Sequence, residues 1–333
     1  FSMFGQLVIL LLIQIGGLGI MTLAVFIGLF VKERLSIRER QTTRSLLELT
    51  SATSVYDLIR KIVLITLIVE SVGAVLIYIS TLNFPPPPGG GREAGALFYS
   101  IFHSVSAFCN AGFSLNQNSL MHLSGDLLGN ITFMFLIISG GLGFTVILNL
   151  KNRLVRGRRE RLTLHSRIVL VMTGILLLAG ALFFFLAESG GALRDKPPGE
   201  QVLASFFQST TTRTAGFNTV DMAALRPATL VFFLALMLIG ASPGGTGGGI
   251  KTTTFTVMLL TMSSLLKEKT DVEARRRVIA RDIVNKALAI TTLFVGMIFI
   301  ASLVITLADP ALSYLHVLFE VVSASATVGL STG

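Results

Sequence analysis

Charge is scarce in this chain. Asp, Glu, Lys and Arg make up only 14% of its 333 residues, against 52% hydrophobic residues and a mean hydropathy of +0.76. Soluble globular domains carry about 25% charged residues, so that class is excluded. Cysteine is nearly absent too. Cys109 stands alone, which rules out an internal disulfide and leaves the redox compartment open. The few histidines, His103, His122, His165 and His316, fall on different segments without metal-ligand spacing and read as satisfied or interfacial side chains. No nucleophile stands in a readable pairing with a base, so an enzyme is not expected. Phe1 is not an initiator methionine and no signal peptide precedes the first apolar run. The chain reads as cut at both ends.

Apolar runs fill the space that charge leaves. Several are longer than the roughly 18 residues that mark a membrane span. They predict an all-α polytopic membrane protein. The net charge of +9 can signal a nucleic-acid partner. Its placement argues otherwise. Most basic residues lie in three short segments, 32–61, 151–167 and 267–286. The positive-inside rule puts all three on the cytoplasmic side. The charge therefore reports topology, and no nucleic acid is expected.

Taken in order, residues 4–31 read as an inward span carrying Gly16-Gly17-Leu18-Gly19. Residues 59–82 return outward. Glu70 lies inside that span, where an acid is functional by default. It can equally be a carboxyl packed on a neighbouring helix, paired or protonated. Pro85–Pro88 and Gly89–Gly91 cannot hold a helix and form an external connector. The next apolar segment, 97–115, is too short to cross. Residues 127–150 run inward with Gly140-Gly141-Leu142-Gly143, and 168–188 run outward. Lys196-Pro197-Pro198-Gly199 breaks the chain before a second short segment, 202–220.

Residues 228–266 are too long for one span. At about 1.5 Å per residue, one helix there would be nearly twice the ~30 Å hydrocarbon core. Its middle reads Gly240-Ala241-Ser242-Pro243-Gly244-Gly245-Thr246-Gly247-Gly248-Gly249. Each interior glycine costs a helix about 1 kcal/mol and proline about 3 kcal/mol, so the helix breaks at membrane depth. Irregular backbone is tolerated there only against protein or a wet cavity. A P-loop is rejected, because Ile250 rather than glycine precedes Lys251. Residues 287–308 run outward, Asp309-Pro310 turns the chain, and 312–333 is a third short segment.

These three short segments repeat one another. Align Gly112, Gly216 and Gly329. Ten residues earlier stand Phe102, Phe206 and Phe319, and six earlier stand Ser106, Thr210 and Ser323. Ala111, Ala215 and Val328 come just before the glycines, and Phe113, Phe217 and Leu330 just after. Each copy reads as a short re-entrant helix followed by a loop whose carbonyls can replace the water shell of a cation. Glycine suits such a loop because it accepts backbone angles that other residues avoid. All three dips fall on the outer face and all three basic loops on the inner one. The glycines at 16, 17, 19, 140, 141 and 143 are expected instead to let helices pack closely.

The stretches Asn110-Ala111-Gly112-Phe113-Ser114, Thr212–Asn218 and Thr327–Gly333 resemble the filters of the Trk/Ktr/HKT cation transporter superfamily. So does Ser242–Thr252, and the resemblance runs over essentially the whole chain, towards the bacterial Ktr membrane subunit. It implies four fused span–pore loop–span units around one pseudo-four-fold pore. Residues 1–58 would be the inward span of unit 1 with its cytoplasmic loop, 59–167 unit 2, 168–286 unit 3, and 287–333 a unit 4 without its final span. By the spacing of Gly143 from Gly112, Gly19 calls for a filter glycine about twelve positions before Phe1.

The resemblance further implies K⁺, with Na⁺ an alternative cargo, held at Gly112, Gly216 and Gly329. The filter would comprise Asn110, Ala111, Gly112, Thr214, Ala215, Gly216, Thr327, Val328 and Gly329. A gate would lie at Ser242, Pro243, Gly244, Gly245, Thr246, Gly247, Gly248 and Gly249, with Lys251 just inside opposing cations. Arg213 and Glu320 would support the filter, Arg213 pointing away from the axis and pairing with Glu320 or Asp221. Implied partners are a second copy in a homodimer, a cytoplasmic nucleotide-binding regulatory ring and the plasma-membrane lipid. Residues 32–58 and 267–286 are expected docking surfaces for that ring, or simply membrane-surface charge. A membrane enzyme or scaffold whose dips only pack helices remains the alternative of a different class.

Overall fold

A computed structural model describes residues 2–19, 55–86, 95–156, 161–269, 271–274 and 277–333. In chain order the described helices are α1 (Met3–Leu18), α2 (Val55–Asn83), α3 (Ala96–Phe108), α4 (Leu127–Leu142), α5 (Phe144–Arg156), α6 (Leu164–Glu188), α7 (Pro198–Thr211), α8 (Pro227–Leu238), α9 (Thr252–Leu266), α10 (Arg281–Ala308) and α11 (Tyr314–Ser325). A small antiparallel hairpin, β1 (Glu273–Ala274) with β2 (Arg277–Val278), precedes α10. Ile59–Asn83, Leu164–Glu188 and Arg281–Ala308 are each long and apolar enough to cross a membrane. Residues 20–54 of the first inward span and its basic loop, and part of the connector after Pro86, lie outside the described residues.

Side-chain caps start several helices where the sequence offers them. Ser2 accepts from the Gly5 amide at 3.3 Å. Asp126 accepts from Leu128 and Gly129 at 3.1 and 3.0 Å, and Thr163 from Ser166 at 3.1 Å. Each satisfies amides that a helix leaves open at its first turn.

The packing repeats along the chain. Each outward helix lies against the short helix that follows it: α2 on α3, α6 on α7, α10 on α11. Each inward helix leans on the short helix of the next copy: α1 on α3, α4 on α7, α8 on α11. A glycine–serine pair fixes two of these contacts. Ser104 Oγ donates to the Glu70 carbonyl at 2.7 Å beside Gly73, and Ser209 Oγ to the Leu177 carbonyl at 2.8 Å beside Gly180. One apolar core gathers Phe102, Phe108, Phe133, Phe207 and Phe217, and a second gathers Phe184, Phe233 and Phe319. The outer faces of the long helices, including Leu67, Leu178, Leu182 and Leu293, are exposed. Apolar residues on that side suit lipid.

Of two expectations about the inward spans, one holds and one does not. The long span 228–266 is broken as expected, with α8 ending at Leu238 and α9 starting at Thr252. Residues 127–150 were expected as one inward span, but α4 and α5 meet at a bend of 106°. The hinge is Gly143, at φ +88°. Its place is fixed by the loop beneath: the Phe144 amide donates to the Gly244 carbonyl at 3.1 Å, and a methyl group on Gly143 would lie 2.4 Å from the Pro243 carbonyl oxygen. Gly19 ends α1 at φ +78° in the same motif. Close packing does apply to Gly17, where a methyl would meet Cys109 Sγ at 2.4 Å, and to Gly140, where it would meet the Phe108 carbonyl oxygen at 1.8 Å.

Candidate functional site, three glycine bends above one loop

The short helices α3, α7 and α11 end just before the three aligned glycines, and the chain then turns in the same way each time. The residue two before the glycine has a left-handed backbone: Asn110 at φ 52°, Thr214 at 72° and Thr327 at 56°. The glycines follow at 72°, 84° and 88° for Gly112, Gly216 and Gly329. Positive φ is rare for a β-branched residue, so two threonines here mark a backbone held by its surroundings.

The three glycines meet. A methyl on Gly112 would lie 2.6 Å from the Ala215 carbonyl oxygen and 3.0 Å from Gly216 Cα. A methyl on Gly216 would lie 2.4 Å from the Val328 carbonyl oxygen, 3.1 Å from Gly112 Cα and 3.4 Å from Gly329 Cα. No side chain fits at Gly112 or Gly216, whereas a methyl on Gly329 would make an ordinary 3.7 Å contact with Gly216 Cα. Glycine is needed here for close approach as well as for φ.

Hydroxyls brace each bend. Ser106 Oγ donates to the Phe113 carbonyl at 2.8 Å, Thr211 Oγ1 to Phe217 at 2.6 Å, and Ser323 Oγ to Leu330 at 2.6 Å. The middle brace is Thr211, not Thr210 as the alignment through Gly216 expected. Thr210 Oγ1 turns back to the Phe206 carbonyl at 2.8 Å. The aromatic position shifts likewise: Phe207 is fully buried with Phe102 and Phe319, whereas Phe206 is 38% exposed. The second dip thus has one residue fewer between its buried phenylalanine and its glycine.

That shift exposes a second brace, of which the sequence marked only Glu320. One residue after each buried phenylalanine stands His103, Gln208 or Glu320. His103 Nε2 lies 3.1 Å from Ser114 Oγ and accepts from the Leu115 amide at 3.4 Å. Gln208 Nε2 donates to Thr219 Oγ1 at 3.5 Å. Glu320 Oε1 accepts from the Thr332 amide at 2.8 Å and from Ser331 Oγ at 3.0 Å. Three unlike side chains hold the outgoing strand at one structural position.

Arg213 is buried and turns away from the glycines. It pairs with neither Glu320, which is taken up by Ser331 and Thr332, nor Asp221, whose Oδ1 accepts from the Ala223 amide. Its Nη2 donates to the Gly240 carbonyl at 3.5 Å, and its Nε has no partner among the described residues. It lines a small cavity with Thr173, Thr210, Ile137 and Ala241. Glu70 sits behind the first bend among neutral groups, with the Cys109 thiol at 3.8 Å and the Gln14 amide as hydrogen-bond partners.

Beneath the bends lies the stretch that interrupts the third inward span. Its ends are pinned together: Gly240 donates to the Ile250 carbonyl at 2.9 Å, Ile250 to Leu238 at 3.0 Å, and Ala241 to Gly248 at 3.1 Å. Its flank is held by α4, where Ser242 and Thr246 donate to the Gly141 and Gly140 carbonyls at 2.9 and 3.1 Å. Lys251 Nζ curls back to the Gly247 carbonyl at 2.7 Å. The loop is a hydrogen-bonded body, more ordered than its glycine content suggests.

Comparison with known proteins agrees with this architecture. The TrkH family, described as cation transport protein, matches residues 1–333. The Ktr system potassium uptake protein B of Bacillus subtilis is 38% identical over 336 residues, covering 100% of this chain and 73% of that protein. The potassium/sodium uptake protein NtpJ of Enterococcus hirae is 34% identical over 99% of this chain and 72% of that protein. The crystal structure of the potassium transporter TrkH from Vibrio parahaemolyticus superposes with a TM-score of 0.66 at 20% identity, over 96% of this chain and 62% of that one. That match supports the fold of repeated, channel-like helical units. A family of multi-pass plasma-membrane transporters, rather than of enzymes, accounts for the apolar helices and the glycine bends alike. The chain belongs to the TrkH family of cation transport proteins.

Proposed function

We propose that this chain is the pore-forming membrane subunit of a Ktr-type potassium uptake system, conducting K⁺ passively through the bends at Gly112, Gly216 and Gly329. The observation that carries the reading is that Gly216 lies against both Gly112 and Gly329. Positive φ at alternate residues, 110 and 112, 214 and 216, 327 and 329, lets successive carbonyls turn to one side, as a dehydrated cation needs. The residues offered to the ion are Asn110-Ala111-Gly112, Thr214-Ala215-Gly216 and Thr327-Val328-Gly329. Each loop contributes a single glycine, so the filter is short and its selectivity modest. The loop Ser242–Gly249 is the gate, and Lys251 adds positive charge on its inner side. A homodimer and a cytoplasmic nucleotide-binding ring complete the system.

A Na⁺-conducting or Na⁺/K⁺-coupled role is the second reading, favoured by the likeness to a potassium/sodium uptake protein. K⁺ and Na⁺ flux through the full-length protein in proteoliposomes separates the readings. Flux of K⁺ above Na⁺ is expected. Equal or greater Na⁺ flux selects the second reading, and no alkali-metal flux at all overturns both.

A further inference from the structure

We infer that the residues two before each glycine, Asn110, Thr214 and Thr327, form a floor to which the Ser242–Gly249 loop is latched, and that the Thr327 hydroxyl is the catch. The inference rests on the reading of that loop as a gate and deepens it. Consecutive loop glycines face the two threonines. A methyl on Gly247 would lie 1.9 Å from Thr214 Oγ1, and one on Gly248 would lie 2.3 Å from Thr327 Oγ1. The Gly248 amide donates to Thr327 Oγ1 at 2.9 Å, across 79 residues of sequence. Thr246 Oγ1 donates to the Phe108 carbonyl at 3.1 Å, at the end of α3, and the Asn110 amide group lies 3.5 Å from Thr214 Oγ1. The end of α3 and the second and third bends therefore bear on one short stretch of loop, and Asn110 joins them through Thr214.

The backbone explains why the hydroxyls point there. Thr214 and Thr327 hold left-handed conformations that a β-branched residue avoids, and such strain collects at switching elements. The main-chain bonds to Leu238 and Ile250 lie at the loop's own base, and those to Gly140 and Gly141 join it to α4. The Gly248–Thr327 bond ties the loop to the last bend. Lifting the loop out of the path breaks this bond, and any shift of Thr327 strains it. Loop position and filter geometry then form one coupled equilibrium, and the coupling is reciprocal.

The test is a double-mutant cycle on K⁺ flux in proteoliposomes with the full-length protein. Thr327→Val keeps the side-chain shape and removes the acceptor. With the native loop it should raise K⁺ flux about three- to ten-fold, the population shift expected from one lost hydrogen bond. Thr327→Ser, which retains an acceptor, should raise flux less. In a protein with Gly244–Gly249 shortened, Thr327→Val should add nothing further, because the catch has no loop to hold. Equal effects in both backgrounds, or a changed K⁺/Na⁺ ratio without increased flux, overturn the latch alone. If shortening the loop does not itself raise flux, the gate reading fails and takes the latch with it. Gly248→Ala approaches the same contact from the loop side and should also raise flux; unchanged flux in a folded Gly248→Ala protein counts against the latch.

Discussion

The stretches from Val55 to Arg156 and from Leu164 to Leu266 are two copies of one plan: outward helix, short helix with glycine bend, inward helix. They share the glycine–serine contact, the buried phenylalanine and the hydroxyl brace. They differ in how the inward helix is interrupted. In the first copy a single residue, Gly143, turns the helix through 106°; in the second, residues 239–251 leave the helix altogether. The two interruptions are complementary. The bent copy presents the Gly140 and Gly141 carbonyls, and the looped copy supplies the Thr246 and Ser242 amides that bond to them. In the gate proposed above, one copy is the seat and the other is the part that leaves it. Duplicated architecture has become a two-piece device by lengthening one break.

The largest effect should come from removing the movable piece. If the loop is the gate proposed above, shortening Gly244–Gly249 removes the closed state and should raise K⁺ flux about ten-fold or more. Lower or unchanged flux in a folded deletion would mean that both interruptions only pack helices. Next in size is Gly216→Ala. Its methyl would collide with the Val328 carbonyl and crowd Gly112. Strain of about 1–3 kcal/mol at a left-handed position should reduce K⁺ flux and lower the melting temperature in detergent together. Flux at the parental level would show that this bend does not meet the ion.

Gly143→Ala probes the seat. A non-glycine residue at φ 88°, ψ 141° occupies a backbone region that side chains avoid and costs about 1–3 kcal/mol, before the contact with the Pro243 carbonyl is counted. The melting temperature should fall. Gly174→Ala in α6, where a methyl meets nothing within 4 Å, should raise it, since alanine favours a helix over glycine by about 1 kcal/mol. Equal responses at the two sites would mean that Gly143 is an ordinary helical glycine.

The repeated spans, the short helices and the break at Gly240–Gly249 were legible because each is written in apolar run length and in glycine and proline density. The bend at Gly143 was not, because the apolar run Phe144–Leu150 continues past it and hydropathy carries no record of φ. The second brace was hidden for another reason. His103, Gln208 and Glu320 share a role but no chemistry, so no pattern of residue type links them. The Arg213 partner was read as an acid because charge suggests charge, whereas the fold supplies the Gly240 carbonyl.

The register of the second dip was lost to local ambiguity, and it offers the finest test of the comparison. Phe206-Phe207 and Thr210-Thr211-Thr212 satisfy an alignment in either of two frames, and anchoring on Gly216 chose the wrong one on the helix. Thr211→Val removes the brace to the buried Phe217 carbonyl and should cost about 1–3 kcal/mol in thermal unfolding. Thr210→Val removes only a hydroxyl bond within its own helical turn and should stay within about 0.5 kcal/mol of the parent. Ser106→Ala and Ser323→Ala, which delete the braces in the other two dips, should match Thr211→Val rather than Thr210→Val. If Thr210→Val proves the more damaging, the middle dip keeps the ten-residue frame of its neighbours. The one-residue difference between the copies would then vanish, leaving the interrupted inward helix as their main distinction.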